Sequence, residues 1–237
     1  MNNLIIGNGE IGSALLSIVK EYHFCGFIDI DRRSEDIEMP IDIMHITIRY
    51  SNRFVEIVDN YIKEFNPEIV IIESTVAVGT CRKIHNLWLD IDVFHSPVRG
   101  RHGDSKRELL KFEKYISGKR NISRVAAYYV NMGFIIRFCS KWETTELGKL
   151  LSTAQYGHDL VFADEMKRIC DEFEVDYNEA VKHFNETYNL GYKGTQFQRS
   201  ILDPPNKKIG GHCVISNAKI LNQQIESEQL KEIIKYE

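Results

Sequence analysis

The chain has few prolines (five), five cysteines and two tryptophans among 237 residues, and no apolar run approaches the length a membrane-spanning helix needs. The cysteines, Cys25, Cys81, Cys139, Cys170 and Cys213, are an odd set without a C-x-x-C pair or the Cys/His spacing of a zinc site. Neither a disulfide framework nor a metal centre is expected. No block carries one sign of charge: 30 Lys and Arg are interleaved with 34 Asp and Glu, for a net charge of −4. Nucleic acid is thus offered no basic stripe. The start of the chain lacks a basic region followed by a hydrophobic core, so a cytoplasmic protein is expected, with a small-molecule substrate and neither membrane nor nucleic acid as partner.

What is present begins at once. The apolar run Leu4-Ile5-Ile6 breaks into Gly7-Asn8-Gly9-Glu10-Ile11-Gly12 and continues with Leu15, Leu16 and Val19 on one helical face. This is strand, tight turn and helix in the G-x-G-x-x-G pattern that cradles a pyrophosphate. Gly7 permits the turn, Gly9 admits the phosphates to the backbone, and Gly12 lets helix and strand pack closely. The helix start, with Glu10 and Ile11, adds N–H groups and a favourable dipole. A second strand over residues 24–30 carries Asp29, close to where such a fold sets an acid on the ribose hydroxyls. NAD is the expected cofactor; Arg32 and Arg33 leave NADP open, since nearby arginines can hold a 2′-phosphate.

Apolar runs and helical periodicity then alternate: strands over 41–48 and 69–72, helices over 54–65 and 80–89, strands at 93–94 and 115–117, a helix over 122–132 and a strand over 134–138. Continuous rather than alternating apolar runs fit a parallel sheet covered on both faces. From residue 143 the texture changes to one long helix reaching about residue 173, a second over 178–188, a loop-like stretch over 191–211 and a short closing helix over 226–235. The expected fold is α/β, a Rossmann-type doubly wound parallel sheet over 1–141, followed by an all-α domain with a long central helix over 142–237.

Three further pieces carry candidate chemistry. The hydroxyl-bearing run Ser74 to Thr80 follows a strand whose C-terminal end faces the ligand crevice, so Thr75 would line the nicotinamide side; the same residues also suit a helix cap. Lys149 on the long helix can act as acid, base or oxyanion partner if partly dry, or form an ordinary ion pair with Glu146 one turn earlier. Gly210-Gly211-His212-Cys213 puts a thiol beyond two glycines, either within reach of a substrate or as a small buried residue. His95, Arg99, Arg101 and His102 form a cationic group suited to an anionic substrate, or simply a solvated loop.

In this order the pieces resemble the UDP-glucose/GDP-mannose dehydrogenases. The Ser74 to Thr80 run is similar to that family's S-T-V-P-x-G-T with Ala77 for proline; Ser96-Pro97-Val98-Arg99 is similar to S-P-E-R; Glu146-x-x-Lys149 and Gly210-Gly211-His212-Cys213 follow. The resemblance covers nearly all of this chain but about the first two-thirds of a typical member, without the C-terminal nucleotide-sugar domain. It implies oxidation of a sugar CH₂OH in two NAD-linked steps, Cys213 as the nucleophile trapping an aldehyde, Lys149 as the oxyanion partner and a homodimer through the helix starting near Glu143. Arg99, Thr153, His212 and Asn217 are the substrate-binding candidates. Three positions depart from the pattern: Val98 replaces a glutamate, Thr153 an asparagine and Asn217 an aspartate. Neither Val98 nor Asn217 can act as a base to activate water, so a single two-electron step is expected rather than oxidation to the acid. Two other readings stay open: a non-catalytic dinucleotide-binding sensor or partner subunit, and a lysine-based hydroxyacid dehydrogenase in which Cys213 is incidental.

Overall fold

The computed structural model describes residues 1–35, 37–100 and 105–237. The chain divides into two compact units, Met1–Lys149 and Leu150–Glu237.

The first unit is built on a seven-stranded sheet in the order β2-β1-β3-β4-β5-β6-β7. Its strands are β1 (Asn2–Ile6), β2 (Phe24–Ile28), β3 (Ile43–Ile46), β4 (Ile69–Ile72), β5 (Asp92–His95), β6 (Lys114–Ser117) and β7 (Ile136–Cys139). β1 to β5 are mutually parallel, as the continuous apolar runs predict. Successive residues of each strand feed opposite cores: Leu4, Ile6, Val70 and Ile72 join one cluster, Ile5, Ile69 and Ile71 the other. The first cluster is closed by α2 (Phe54–Phe65) and α3 (Thr80–Leu87), through Phe54, Val58, Ile62 and Ile84. The second is closed by α1 (Glu10–Val19) and α5 (Ile122–Asn131), through Leu15, Ile18, Val125 and Tyr128.

Two features depart from the expected plan. A short helix, α4 (Ser105–Lys111), follows β5 where no periodicity marked one. The sheet is not wholly parallel either: β6 runs antiparallel to β5, meeting it at His95 and Ser117, and β7 then pairs parallel to β6.

The reversal of strand order lies at β1, which has β2 on one side and β3 on the other. Crevices at such switch points, beyond the carboxyl ends of the strands, are where doubly wound sheets take ligands. Gly7 stands at the end of β1 on this crevice.

Helix α6 (Trp142–Glu172) has the predicted length, but the first compact unit takes in its opening turns up to Lys149 rather than stopping at residue 141. The reason is anchoring: the buried Trp142 indole N–H donates to the Val93 carbonyl at 2.9 Å, and Thr145 and Glu146 are buried among β5, β6 and the start of α3. In the second unit the rest of α6 packs with α8 (Cys213–Asn222) and α9 (Glu228–Ile234). A Cβ on Gly157 would lie 2.7 Å from Val214 and 3.1 Å from Ile233, so this interior glycine sets how closely α6 and α8 approach. A π-helical turn, Asn178–His183, leads into α7 (Phe184–Gly191), and residues 192–212 contain no further helix or strand.

Candidate functional site

The glycine turn has three different geometries for its three glycines. Gly7 has φ +95°, which side-chain-bearing residues rarely adopt, and its amide donates to the Ile28 carbonyl at 2.7 Å. A Cβ on Gly12 would fall 1.8 Å from the Gly7 carbonyl oxygen, inside the contact of α1 with the end of β1. Gly9, by contrast, has nothing within 4 Å of its would-be Cβ. The turn is sealed on the protein side and open on the other.

Gly9 occupies the N-cap of α1, and the first helical hydrogen bond runs from Ser13 N–H to the Gly9 carbonyl. The Ile11 and Gly12 N–H groups thus precede the helix's own ladder, which is the donor arrangement that holds phosphate. Glu10 is exposed in this first turn. Asp29, one residue beyond β2, sits beside the turn: its Oδ2 accepts the Asn8 N–H at 3.1 Å and its Oδ1 the Ile30 N–H at 2.8 Å. Arg32 lies 3.6 Å from the same carboxylate, while Arg33 reaches Glu64 and packs over the Phe65 ring.

Two residues of this corner had no sequence signal. Thr47, just past β3, donates to the Gly7 carbonyl at 2.6 Å and fixes the turn from across the switch point. Asn8 keeps its Oδ1 buried without a hydrogen-bond partner. A buried acceptor of this kind is costly unless a donor arrives, and a ribose hydroxyl is such a donor. The orphan oxygen, the open face at Gly9 and the N–H groups of α1 are features that could take a dinucleotide, with Gly7, Gly9, Ile11, Gly12, Asn8 and Asp29 around it.

The hydroxyl run lies along the same sheet edge. Ser74 donates to the carbonyls of Ile46 and Ile48 at 3.1 and 2.6 Å, so it ties β4 to β3 and does not point a hydroxyl at a ligand. Thr75, half-buried, follows it. The Gly79 and Cys81 N–H groups at the start of α3 are capped by Glu146 of α6, at 2.6 and 2.8 Å. Both oxygens of Glu146 are engaged there, one turn before the half-buried Lys149. Burial pushes the Glu146 carboxyl up from its ordinary value, while the two N–H donors work in the opposite direction.

The expected cationic group needs correction at His95. Its ring is buried, with Nδ1 2.7 Å from Thr145 Oγ1 and Nε2 3.2 Å from the Ser74 carbonyl, and burial lowers its pKa to about 4. It is a neutral structural residue at ordinary pH. Arg99 is exposed and stacks over Tyr115 and Phe112, with its guanidinium carbon 5.3 and 5.6 Å from the ring centres. Arg101 and His102 lie outside the described residues.

In the second unit, Cys213 is not a loop residue: it opens α8, with the exposed His212 at the N-cap and Gly211 at φ +84° before it. Cys213 is half-buried. One turn on, the buried Asn217 donates to Thr153 Oγ1 at 3.1 Å, so two of the substrate-binding candidates hold each other across α6 and α8. No group of three metal-ligating side chains occurs among the described residues, and no helix there is long and apolar enough to cross a membrane.

Comparison with known proteins gives a consistent picture. The chain is 28% identical over 170 residues to a UDP-N-acetyl-D-mannosamine dehydrogenase of Methanococcus maripaludis, covering 70% of this chain and 37% of that one. It is 27% identical over 166 residues to an NDP-N-acetyl-D-galactosaminuronic acid dehydrogenase of Ralstonia nicotianae, covering 62% and 37%. The match thus spans less than half the length of these curated relatives. In fold, the chain is similar to a UDP-D-ManNAc dehydrogenase from Pyrococcus horikoshii, with a TM-score of 0.81 at 18% identity, over 100% of this chain and 68% of that one. Residues 143–235, which include Lys149, Thr153, Cys213 and Asn217, match the model of the UDP-glucose/GDP-mannose dehydrogenase family, central domain.

Proposed function

We propose that this protein is an NAD-dependent oxidoreductase acting on a CH–OH group or carbonyl of a sugar nucleotide. The observation that carries the reading is the glycine corner: a turn closed by Gly12 and Thr47, open at Gly9, with the Asn8 Oδ1 lacking a donor and Asp29 alongside. Both curated relatives described above are named as dehydrogenases of N-acetylated nucleotide sugars, which supports the substrate class.

When bound, NAD supplies the acceptor for two electrons. The residues of this chain do the rest. Gly7 to Gly12 hold the pyrophosphate, and Asp29 accepts from the ribose hydroxyls and disfavours a 2′-phosphate. Thr75 borders the reacting end. Lys149 takes the proton that the alcohol gives up, or as an ammonium offsets charge on the developing oxyanion. Cys213 is the proposed nucleophile toward an aldehyde. Arg99, Thr153, His212 and Asn217 are proposed to bind substrate. With Val98 and Asn217 in positions where a carboxylate would activate water, we propose one two-electron step per substrate molecule.

Calorimetric titration tests the cofactor site: saturable binding of NAD, tighter than NADP, is expected, and absence of heat with either nucleotide overturns the reading. Turnover is then followed on a panel of UDP-sugars. One NADH per substrate consumed is expected; two would overturn the single step. Lys149→Ala is expected to abolish turnover while leaving NAD binding intact. Cys213→Ser separates this reading from a lysine-only hydroxyacid dehydrogenase, in which that change would be harmless.

A further inference from the structure

The sheet buries a polar cluster that the proposed reaction does not use. Glu73, the residue after β4, is 2% exposed. Its Oε2 accepts the Lys114 ammonium at 2.6 Å, and its Oε1 accepts the Tyr129 hydroxyl at 2.5 Å and lies 3.1 Å from His45 Nδ1. The other nitrogen of His45 is 2.8 Å from the Tyr128 hydroxyl, which donates to Asn3 Oδ1 at 3.0 Å. The cluster therefore joins β1, β3, β4, β6 and α5.

A buried ion pair is weak evidence for stability, because well-packed apolar residues of similar size often do as well. Its geometry indicates a different use. β5 and β6 meet through one register pair, His95 with Ser117, whereas β4 and β5 are in register over all of residues 69–72 and 92–95. The seam where the sheet changes direction is thus poorly laced by backbone. Lys114 crosses it: besides Glu73, its ammonium donates to the Ser96 carbonyl at 3.3 Å. On the near side of the seam, the Glu73 carbonyl accepts the Val98 N–H at 3.3 Å and ties the end of β4 to the segment after β5.

Both ends of this strap lead to candidate site residues. Glu73 is followed directly by Ser74 and Thr75, and Val98 by Arg99, whose guanidinium packs on Tyr115, the neighbour of Lys114. We infer that the Glu73–Lys114 pair is a positioning device that spans the antiparallel seam and so holds the 74–75 strand end and the 97–99 loop in one fixed relation, at the carboxyl end of the strands where the proposed cofactor site lies. Neither residue touches cofactor or substrate; both act through the segments they hold. The inference rests on the proposed dinucleotide site for its functional consequence, and on the seam alone for its structural one.

The test compares Lys114→Met, Lys114→Arg and a control, Ile62→Ala, which creates a cavity under α2 away from the seam. NAD affinity, melting temperature and amide hydrogen exchange at Ser96 and Val98 are measured on each. Lys114→Met is expected to weaken NAD binding at least tenfold and to speed exchange at both amides, Lys114→Arg to restore both, and Ile62→Ala to lower the melting temperature with NAD affinity kept. Unchanged exchange in Lys114→Met overturns the inference whatever the affinity, and so does an equal loss of affinity in Ile62→Ala. Should Lys114→Met fail to fold, Glu73→Gln, which keeps the side-chain size, carries the same expectations. If wild-type protein binds no NAD, the proposed function falls, and the exchange measurement alone decides the strap.

Discussion

Glu146 accepts the Gly79 N–H at 2.6 Å with one oxygen and the Cys81 N–H at 2.8 Å with the other. A carboxylate from α6 therefore serves as the cap of α3, a helix whose own N-cap residue, Gly79, has no side chain to do so. The contact ties the 74–79 loop to the helix turn before Lys149. Glu146→Ala leaves two N–H groups of a buried helix start without that acceptor, and a loss of about 1–3 kcal/mol is expected. Denaturant unfolding measures it; a change below about 0.5 kcal/mol would show that water replaces the cap without cost.

Gly9 and Gly12 separate folding from binding. Gly12→Ala drives a methyl group into the Gly7 carbonyl, 1.8 Å away, and is expected to cost about 1–3 kcal/mol or more in stability. Gly9→Ala meets open space and is expected to keep the melting temperature within a few degrees while weakening NAD binding by an order of magnitude or more. Equal effects of the two changes on melting temperature would contradict the assignment of an open, ligand-facing side to the turn.

Asp29 is proposed to carry a preference for NAD. Asp29→Ala removes a charged acceptor, whose hydrogen bonds are worth about 1.5–3 kcal/mol, so NAD affinity is expected to fall roughly 10- to 100-fold. NADP affinity should change less, with Arg32 released from its 3.6 Å approach to the carboxylate. Parallel titrations with both nucleotides decide it; an equal loss for both would remove Asp29 from the discriminating role.

Two buried groups contribute to the acid side of the stability profile. Burial holds His95 neutral, with its pKa lowered to about 4 from 6.5, so the stability it contributes is present above 6.5 and lost as pH falls toward 4. At Glu73 burial works upward, but the Lys114 charge and the His45 contacts outweigh it and hold the carboxyl at about 2. Its contribution is present above about 4.5 and lost as pH falls toward 2. Chemical denaturation between pH 7 and 3 should show both losses. His95→Gln is expected to flatten the upper part of the profile and Glu73→Gln the lower; an unaltered profile in either variant would sink the corresponding assignment.

Self-association is a further expectation carried from the sequence. In the second unit, Leu151, Phe162, Ile169 and Phe173 of α6 and its end expose between 41 and 75% of their surface, an apolar display that a second copy of this chain would cover. Light scattering at micromolar concentration is expected to give a dimer, and Phe162→Asp with Phe173→Asp a monomer that keeps NAD affinity. A wild-type monomer would overturn the proposal.

The doubly wound sheet and the shape of the glycine turn were legible from the residues alone. Apolar runs such as 69–72, bounded by Pro67 and Ser74, are too short for a helix and fit strands buried on both faces, and G-x-G-x-x-G after such a run has a local backbone meaning that needs no distant partner. The long helix from residue 142 was equally legible, because periodicity without proline is a local property. What the sequence did not determine is each fact that depends on residues far apart in the chain. α8 escaped because the run from Cys213 to Asn222 has little amphipathic contrast and is held by the approach of Val214 to Gly157, 57 residues earlier in the chain. His95 read as a cation because basic residues surround it in sequence, whereas the fold buries it against Thr145 and the Ser74 carbonyl. Nothing local marks Glu146 as a helix cap, and its oxygens reach Gly79 and Cys81, 65 and more residues away. The antiparallel seam at β5 and β6, and the Glu73–Lys114 pair across it, belong to the same class. Local backbone preference and hydrophobic period are written residue by residue; the protonation and partners of a buried charge exist only once tertiary structure has removed the water around it.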